Sequence, residues 1–160
     1  MTGPTIKVKS KPVNVAKLIK KMEKVASQPQ KVLVGFPENI PYPDEEGTNL
    51  IMVAATHEFG SADGKIPERS FMRAGLNEKK AKLKSIWKNK LAKQVLEGEI
   101  TPVKALGLIG QWGETVVKSK IRTLTSPANS ERTIKEKGSS NPLIDTGHMI
   151  QSVRYEVDSK

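Results

Sequence analysis

Thr48-Asn-Leu-Ile-Met-Val-Ala-Ala-Thr-His-Glu-Phe-Gly-Ser-Ala-Asp-Gly-Lys-Ile-Pro-Glu-Arg-Ser-Phe71 is the stretch on which the fold turns. It predicts a helix over Asn49–Phe59, capped by Thr48 and ended by Gly60, a residue that tolerates the left-handed backbone. A polar loop follows. Ile66 precedes Pro67 and is therefore held extended. Ser70 is the expected N-cap of the next and longest helix, Phe71 to Leu96. The Asn49–Phe59 helix is apolar on most sides (Leu50, Ile51, Val53, Ala54, Ala55, Phe59), so it is expected to be buried or to sit between two partners.

Downstream, Leu76, Leu83, Ile86, Trp87, Leu91 and Val95 form a narrow apolar seam on the long helix, with lysines elsewhere. Gly98 breaks it. Thr101-Pro102 opens a further helix to about Leu124, Pro102 being suited to the first helical position. Val103, Leu106, Ile109, Trp112, Val116 and Ile121 mark its inner side. Gly107, Gly110 and Gly113 lie within it, each costing about 1 kcal/mol of helix propensity against alanine. Close approach of another backbone is the expected compensation, within the same subunit in preference to a contact between subunits. Residues 126–141 are polar and read as a mobile loop with one helical turn near Glu131–Lys135. Pro142–Gly147 is a turn, His148–Ser152 a short helical turn and Gln151–Asp158 an alternating strand.

Upstream, Thr5–Lys9 alternates as a short edge strand around Ile6 and Val8. Asn14 caps a helix to about Ser27, with Val15, Leu18, Ile19, Met22, Val25 and Ala26 on one core-facing stripe. Lys31–Phe36 reads as a buried strand ended by Pro37, and Pro37–Gly47 as an exposed loop. These elements predict one α+β domain over residues 1–160. Its sheet is small, mixed or antiparallel, of about three strands, packed by two long helices and two shorter ones. Trp87 and Trp112 are expected mainly inside.

The chain has 160 residues, no cysteine and a net charge of +10. Without cysteine there is no disulfide, thiolate metal site or thiol nucleophile, which suits assembly in a reducing cytoplasm. No apolar run reaches the roughly 18 residues that span a membrane, and Met1–Lys9 lacks a signal-peptide core. The charge is segregated. Val32–Gly64 contains no Lys or Arg but carries Glu38, Asp44, Glu45, Glu46, Glu58 and Asp63. Lys65–Lys93 reverses this, with Lys65, Arg69, Arg73 and seven further lysines against Glu68 and Glu78. A solvated helix face, an acidic partner and nucleic acid all remain open for the basic part.

Catalytic and metal chemistry finds no constellation. His57-Glu58 lacks the second histidine of a zinc-protease helix, position 61 being Ser61. A structural histidine at a helix end is the reading adopted. Asp44-Glu45-Glu46 lacks the spaced ligands of a calcium loop, and no serine has a visible base. The chain is read as a non-enzyme with no cofactor and no metal. Arg69 and Glu58 are expected to pair near the loop.

His57-Glu58-Phe59-Gly60, a short loop and Ile66-Pro67-Glu68-Arg69-x-Phe71 resemble the "HEFG … IPxRPF" core of the tail-completion and neck (head–tail joining) proteins of long-tailed bacteriophages. Ser70 stands where that family has proline. Lys137-Gly138-Ser139, Pro142-Leu143-Ile144-Asp145-Thr146-Gly147 and Ser152-Val153-x-Tyr155 resemble the family's "KGS … PLIDTG … SV-Y" ending. The resemblance implies an architectural α+β virion protein, assembled in the host cytoplasm into a ring at the head–tail junction. The ring would be a six-fold homo-oligomer touching other neck and tail proteins, with DNA passing through its lumen. The alternative is a nucleic-acid-binding protein using the lysine-rich helix 71–96. Within a ring, the acidic loop Asp44-Glu45-Glu46 is expected to face Lys80, Lys84 and Lys88 of a neighbour, three residues that share one helix face.

Overall fold

Alternation in two short segments sets the sheet, and helical periodicity sets everything between them. The computed structural model describes residues 31–38, 40–42 and 47–158, with Ala16, Ile19, Lys20, Met22 and Glu23 of the preceding segment. Strand β1 (Lys31–Gly35) pairs antiparallel with β2 (Arg154–Asp158), in register from Lys31↔Asp158 to Gly35↔Arg154. Between them lie α1 (Leu50–Phe59), α2 (Met72–Ile86), a π-helical turn (Trp87–Leu91), α3 (Ala92–Glu97), α4 (Pro102–Thr123), α5 (Glu131–Lys137) and α6 (His148–Ser152). The chain is thus α+β, with a two-stranded antiparallel sheet among the described residues. The third strand expected at Thr5–Lys9 lies outside them. So does most of the helix expected over Asn14–Ser27. Of that helix's stripe, Ile19 and Met22 are 49% and 52% exposed rather than core. Among the described residues, the core gathers on α1, α4, α6 and the sheet.

The long helix expected over Phe71–Leu96 runs unbroken from Met72 to Glu97, through the π turn in which the Ala92 amide donates to the Trp87 carbonyl. Gly98, in the left-handed conformation, stops it. Thr101 caps α4 by accepting from the Lys104 amide at 3.1 Å, with Pro102 in the first turn. Asn49, not Thr48, caps α1: its Oδ1 accepts from the Ile51 amide at 2.8 Å.

The sheet rests on α4, and α2 packs against α4 rather than over the strands. Gly110 and Gly113 explain the close fit, whereas a Cβ at Gly107 would meet nothing within 4 Å. A Cβ at Gly110 would come within 2.8 Å of Val32 Cγ2 and closer still to the Tyr155 ring. One at Gly113 would lie 2.9 Å from Val34 Cγ2. Strand side chains, not another backbone, fill these notches, so the lost helix propensity is exchanged for contact with β1 and β2. Val32 and Val34 therefore point at α4, while Leu33 between them is 51% exposed. β1 is covered on one face, not two.

The main core gathers Leu50, Phe71, Val117, Ile121 and Val153, all without solvent exposure. Phe36 meets Phe71 edge-on at a centroid distance of 6.2 Å. A smaller cluster of Leu91, Val95 and Ala105 sits at the far end of the helix pair. The tryptophans do not occupy the centre: Trp87 is 39% exposed and Trp112 is only partly buried. Trp87 lies on the π turn past the sheet, and Trp112, between Gly110 and Gly113, turns away from the strands to line the flank between α2 and α4, where among the described residues nothing covers it fully. Phe71→Ala is expected to cost about 3–5 kcal/mol and Trp87→Ala about 1 kcal/mol or less. Urea unfolding followed by circular dichroism measures both.

Candidate functional site

The first amides of any helix lack intrahelical partners. At α2 they find one in a side chain from α1. Glu58, 4% exposed, turns inward from the last turn of α1. Its Oε2 accepts from the amides of Phe71 (2.8 Å) and Met72 (2.9 Å). Its Oε1 accepts from the Arg73 amide (3.0 Å), Ser70 Oγ (2.9 Å) and Arg73 Nε (2.9 Å). Burial alone would raise the Glu58 pKa. The Met72 and Arg73 amides, the Ser70 hydroxyl and the Arg73 guanidinium outweigh it and hold the carboxyl below its usual range. The positive end of the helix dipole favours the same charge. Ser70 is only a secondary cap, accepting from the Ala74 amide at 3.3 Å. Arg73 completes the cluster. It donates to the Glu58 carbonyl (3.0 Å) and to Glu68 Oε1 (2.8 Å), and its guanidinium stands 4.6 Å over the Phe59 ring.

The expected Arg69–Glu58 pair does not form, because the amides of α2 and Arg73 occupy the carboxylate. Arg69 is itself 4% exposed and turns the other way. Its amide donates to the His57 carbonyl at 2.7 Å. Its side chain donates to the carbonyls of Pro127 (2.8 Å) and Ala128 (3.1 Å) and to Asn129 Oδ1 (3.0 Å). The segment read as a mobile loop thus begins on a buried anchor. It continues into α5, capped by Ser130, which accepts from the Thr133 amide at 3.2 Å, and by Gly138. The helical turn expected near Glu131–Lys135 is thus present as α5; what polarity alone did not reveal is the Arg69 anchor ahead of it.

The loop between Gly60 and Pro67 is built rather than loose. The Ser61 amide donates to the Ile66 carbonyl (2.9 Å) and the Ile66 amide to Ser61 Oγ (2.8 Å). Gly60 has a φ of 82°, and a Cβ there would come within 3.1 Å of the Glu68 amide nitrogen. Ile66, Pro67 and Glu68 are exposed.

The second motif block closes α4. Asn141 Nδ2 donates to the Arg122 carbonyl (2.9 Å), and its Oδ1 accepts from the Leu143 amide (2.9 Å). Pro142 and Leu143 are buried, whereas Asp145 and Thr146 are exposed. Thr146 Oγ1 accepts from the His148 amide at 3.3 Å, with Gly147 at φ 78° between them. His148 Nε2 reaches the Pro41 carbonyl at 3.1 Å. The two blocks meet electrostatically at Lys137. Burial lowers its pKa, Asp145 opposes that, and Arg69 adds to it. Arg73, Asn129 and Asn141 escaped the candidate set because their partners lie far away in sequence or on backbone carbonyls.

Lys80, Lys84 and Lys88 are exposed along α2 and the π turn. Asp44, Glu45 and Glu46 lie outside the described residues, so their meeting with these lysines is a matter for assembly. Among the described residues, no three His, Cys, Asp or Glu gather in a way that could hold a metal ion. No helix there is long and apolar enough to cross a membrane. Comparison with protein-family models, curated proteins and solved structures finds no match.

Glu58→Gln removes the charge and keeps the shape; it is expected to destabilise the fold by about 2–4 kcal/mol. Hydrogen exchange should show the loss first at Phe71, Met72 and Arg73. His57 supplies a pH dependence. Its Nδ1 is buried without a hydrogen-bond partner. Burial first, then the Arg69 and Lys137 charges, lower its pKa from 6.5 to about 4. The folded state therefore binds fewer protons than the unfolded state across that window. Its contribution is full above pH 6.5 and is lost as pH falls towards 4, by up to about 3 kcal/mol. Urea midpoints measured against pH should show this slope, and His57→Asn should flatten it.

Proposed function

We propose that this chain is a tail-completion or head–tail joining protein of a tailed bacteriophage, acting as a six-fold ring in the virion neck. The observation that carries this reading is how the two motif blocks use their polar atoms. Glu58, Arg69 and Thr146 spend theirs on helix ends and loop carbonyls. That is the work of a scaffold, and it agrees with the architectural role the resemblance implies. The scaffold leaves the outer side of α1 and the α2 lysines free to meet neighbours. A third strand from Ile6–Val8 belongs to the same reading, as do other neck and tail proteins as partners and DNA in the lumen.

A second reading, nucleic-acid binding, draws on the exposure of Lys79, Lys80, Lys82, Lys84, Lys88 and Lys90. It predicts DNA affinity that falls steeply with salt. Particles made without this chain separate the two. Full heads beside unattached or overlong tails support the joining role; normal virions would overturn it.

A further inference from the structure

α4 carries two unlike faces. Gly110 and Gly113 admit the strand side chains, so Trp112 between them points to the opposite flank. There α2 and α4 lie side by side and leave a cleft that Trp112 divides. On one side of the indole is a polar cavity of about 440 Å³ that includes Lys79, Lys82 and Lys120. On the other is an apolar cavity of about 340 Å³ floored by Leu83, Ile86, Leu108 and Ile109. Trp112 lines both, which makes them halves of one trough. From Lys79 to Lys90 it runs roughly 16 Å, at about 1.5 Å per residue, or three helical turns. Two packed helices offer such a groove to the ridges of a third.

The lining carries four lysines, Lys79, Lys82, Lys90 and Lys120, against one acid, Glu78. Glu78 pairs with Lys120 and feels Lys79 as well. One carboxylate thus serves two lysines. Among the described residues, Lys82 and Lys90 are exposed and have no ion-pair partner. An aliphatic floor with cationic edges suits an amphipathic helix whose flanks are acidic. Nucleic acid would engage the lysines but leave the Leu–Ile half empty, because bases stack on aromatic faces and Trp112 is the one aromatic in the lining. The first thirty residues of this chain have the wrong sign, with seven lysines against Glu23. A second copy offers no match among its described helices: α1 is apolar, but its one carboxylate, Glu58, is buried.

We propose that the α2–α4 trough is the docking site for an amphipathic helix of another protein. Its apolar residues would lie on Leu83, Ile86, Leu108, Ile109 and Trp112, and its acidic flanks along Lys82 and Lys90. Apolar burial supplies the affinity, and the lysines set orientation and reject partners of like charge. The site goes beyond the virion reading and does not depend on it.

A displayed library tests it. Its members are helices of about four turns, apolar at i, i+3, i+4 and i+7, with Glu, Gln or Lys encoded at every flanking position. Selection on the full-length protein is expected to return glutamate flanks. The same clones should bind the Lys82→Glu, Lys90→Glu chain about tenfold or more weakly. Selection on that doubly reversed chain should return lysine flanks, a gain that misfolding cannot produce. Leu108→Asp, at a 43% exposed position, should abolish binding with an unchanged circular dichroism spectrum. In a Trp87→Phe chain, synthetic peptides of the selected clones should shift the emission of Trp112. Neutral or lysine flanks on the unaltered chain overturn the proposal, as do clones indifferent to Leu108→Asp. Three other results overturn it by naming a different occupant. Trp112 emission that answers a single-stranded oligonucleotide and no clone gives the trough to nucleic acid. Self-association lost on Leu108→Asp gives it to a second copy. Clones that bind only after residues 1–30 are removed give it to the chain's own segment. Particles made without the chain test the joining role and leave this site untouched.

Discussion

A charged carboxylate with almost no solvent exposure is tolerable only when every lone pair is used. Glu58 meets that condition with five donors, three of them the amides that open α2. The consequences run outward from it. Because the donors belong to the next helix, the angle between α1 and α2 is fixed by short hydrogen bonds as well as by packing. That angle delivers Phe71 into the core and leaves Arg73 over Phe59. The Gly60 turn and the Ser61–Ile66 loop return the chain far enough for the helix start to reach the carboxylate.

Arg69 extends the same logic in the opposite direction. It is buried with carbonyl oxygens and an amide oxygen rather than a carboxylate, so its charge is solvated by the protein's own dipoles. Each acceptor lies on the 127–129 segment, which has no large apolar residue with which to attach itself. A neighbouring cation, Lys137, leans on Asp145. The two blocks are therefore one assembly of backbone clamps.

Local patterns were legible in the sequence because their causes are local. The spans of α1, the α2–α3 helix and α4 follow from periodicity and from Gly60, Gly98 and Thr101-Pro102. The glycines at 110 and 113 announced a close approach, though not that valine and tyrosine side chains would make it. What could not be read was the choice among distant partners. Ser70 has the composition of an N-cap, yet Glu58 outcompetes it from twelve residues away. Arg69 and Glu58 have complementary charges, yet each finds a better-placed partner. Trp87 and Trp112 are the largest apolar side chains, but they face flanks of the helices that the described residues do not cover. Hydrophobicity predicts that a residue would gain from burial; topology decides whether a cover exists.

The sheet joins the first and last described elements, Lys31 to Asp158 and Gly35 to Arg154. Between them, α2 meets α4 through a short connection, whereas both strands reach α4 across long stretches of sequence. Chain closure over so long a loop is slow compared with helix pairing. The helical half therefore assembles early, with the glycine notches of α4 still vacant. Until Tyr155, Val32 and Val34 arrive, that flank presents bare backbone and apolar edges to the cell. A chain halted before β2 is made would keep this wound open, which makes the last strand the step that separates a finished subunit from a substrate for chaperones and proteases.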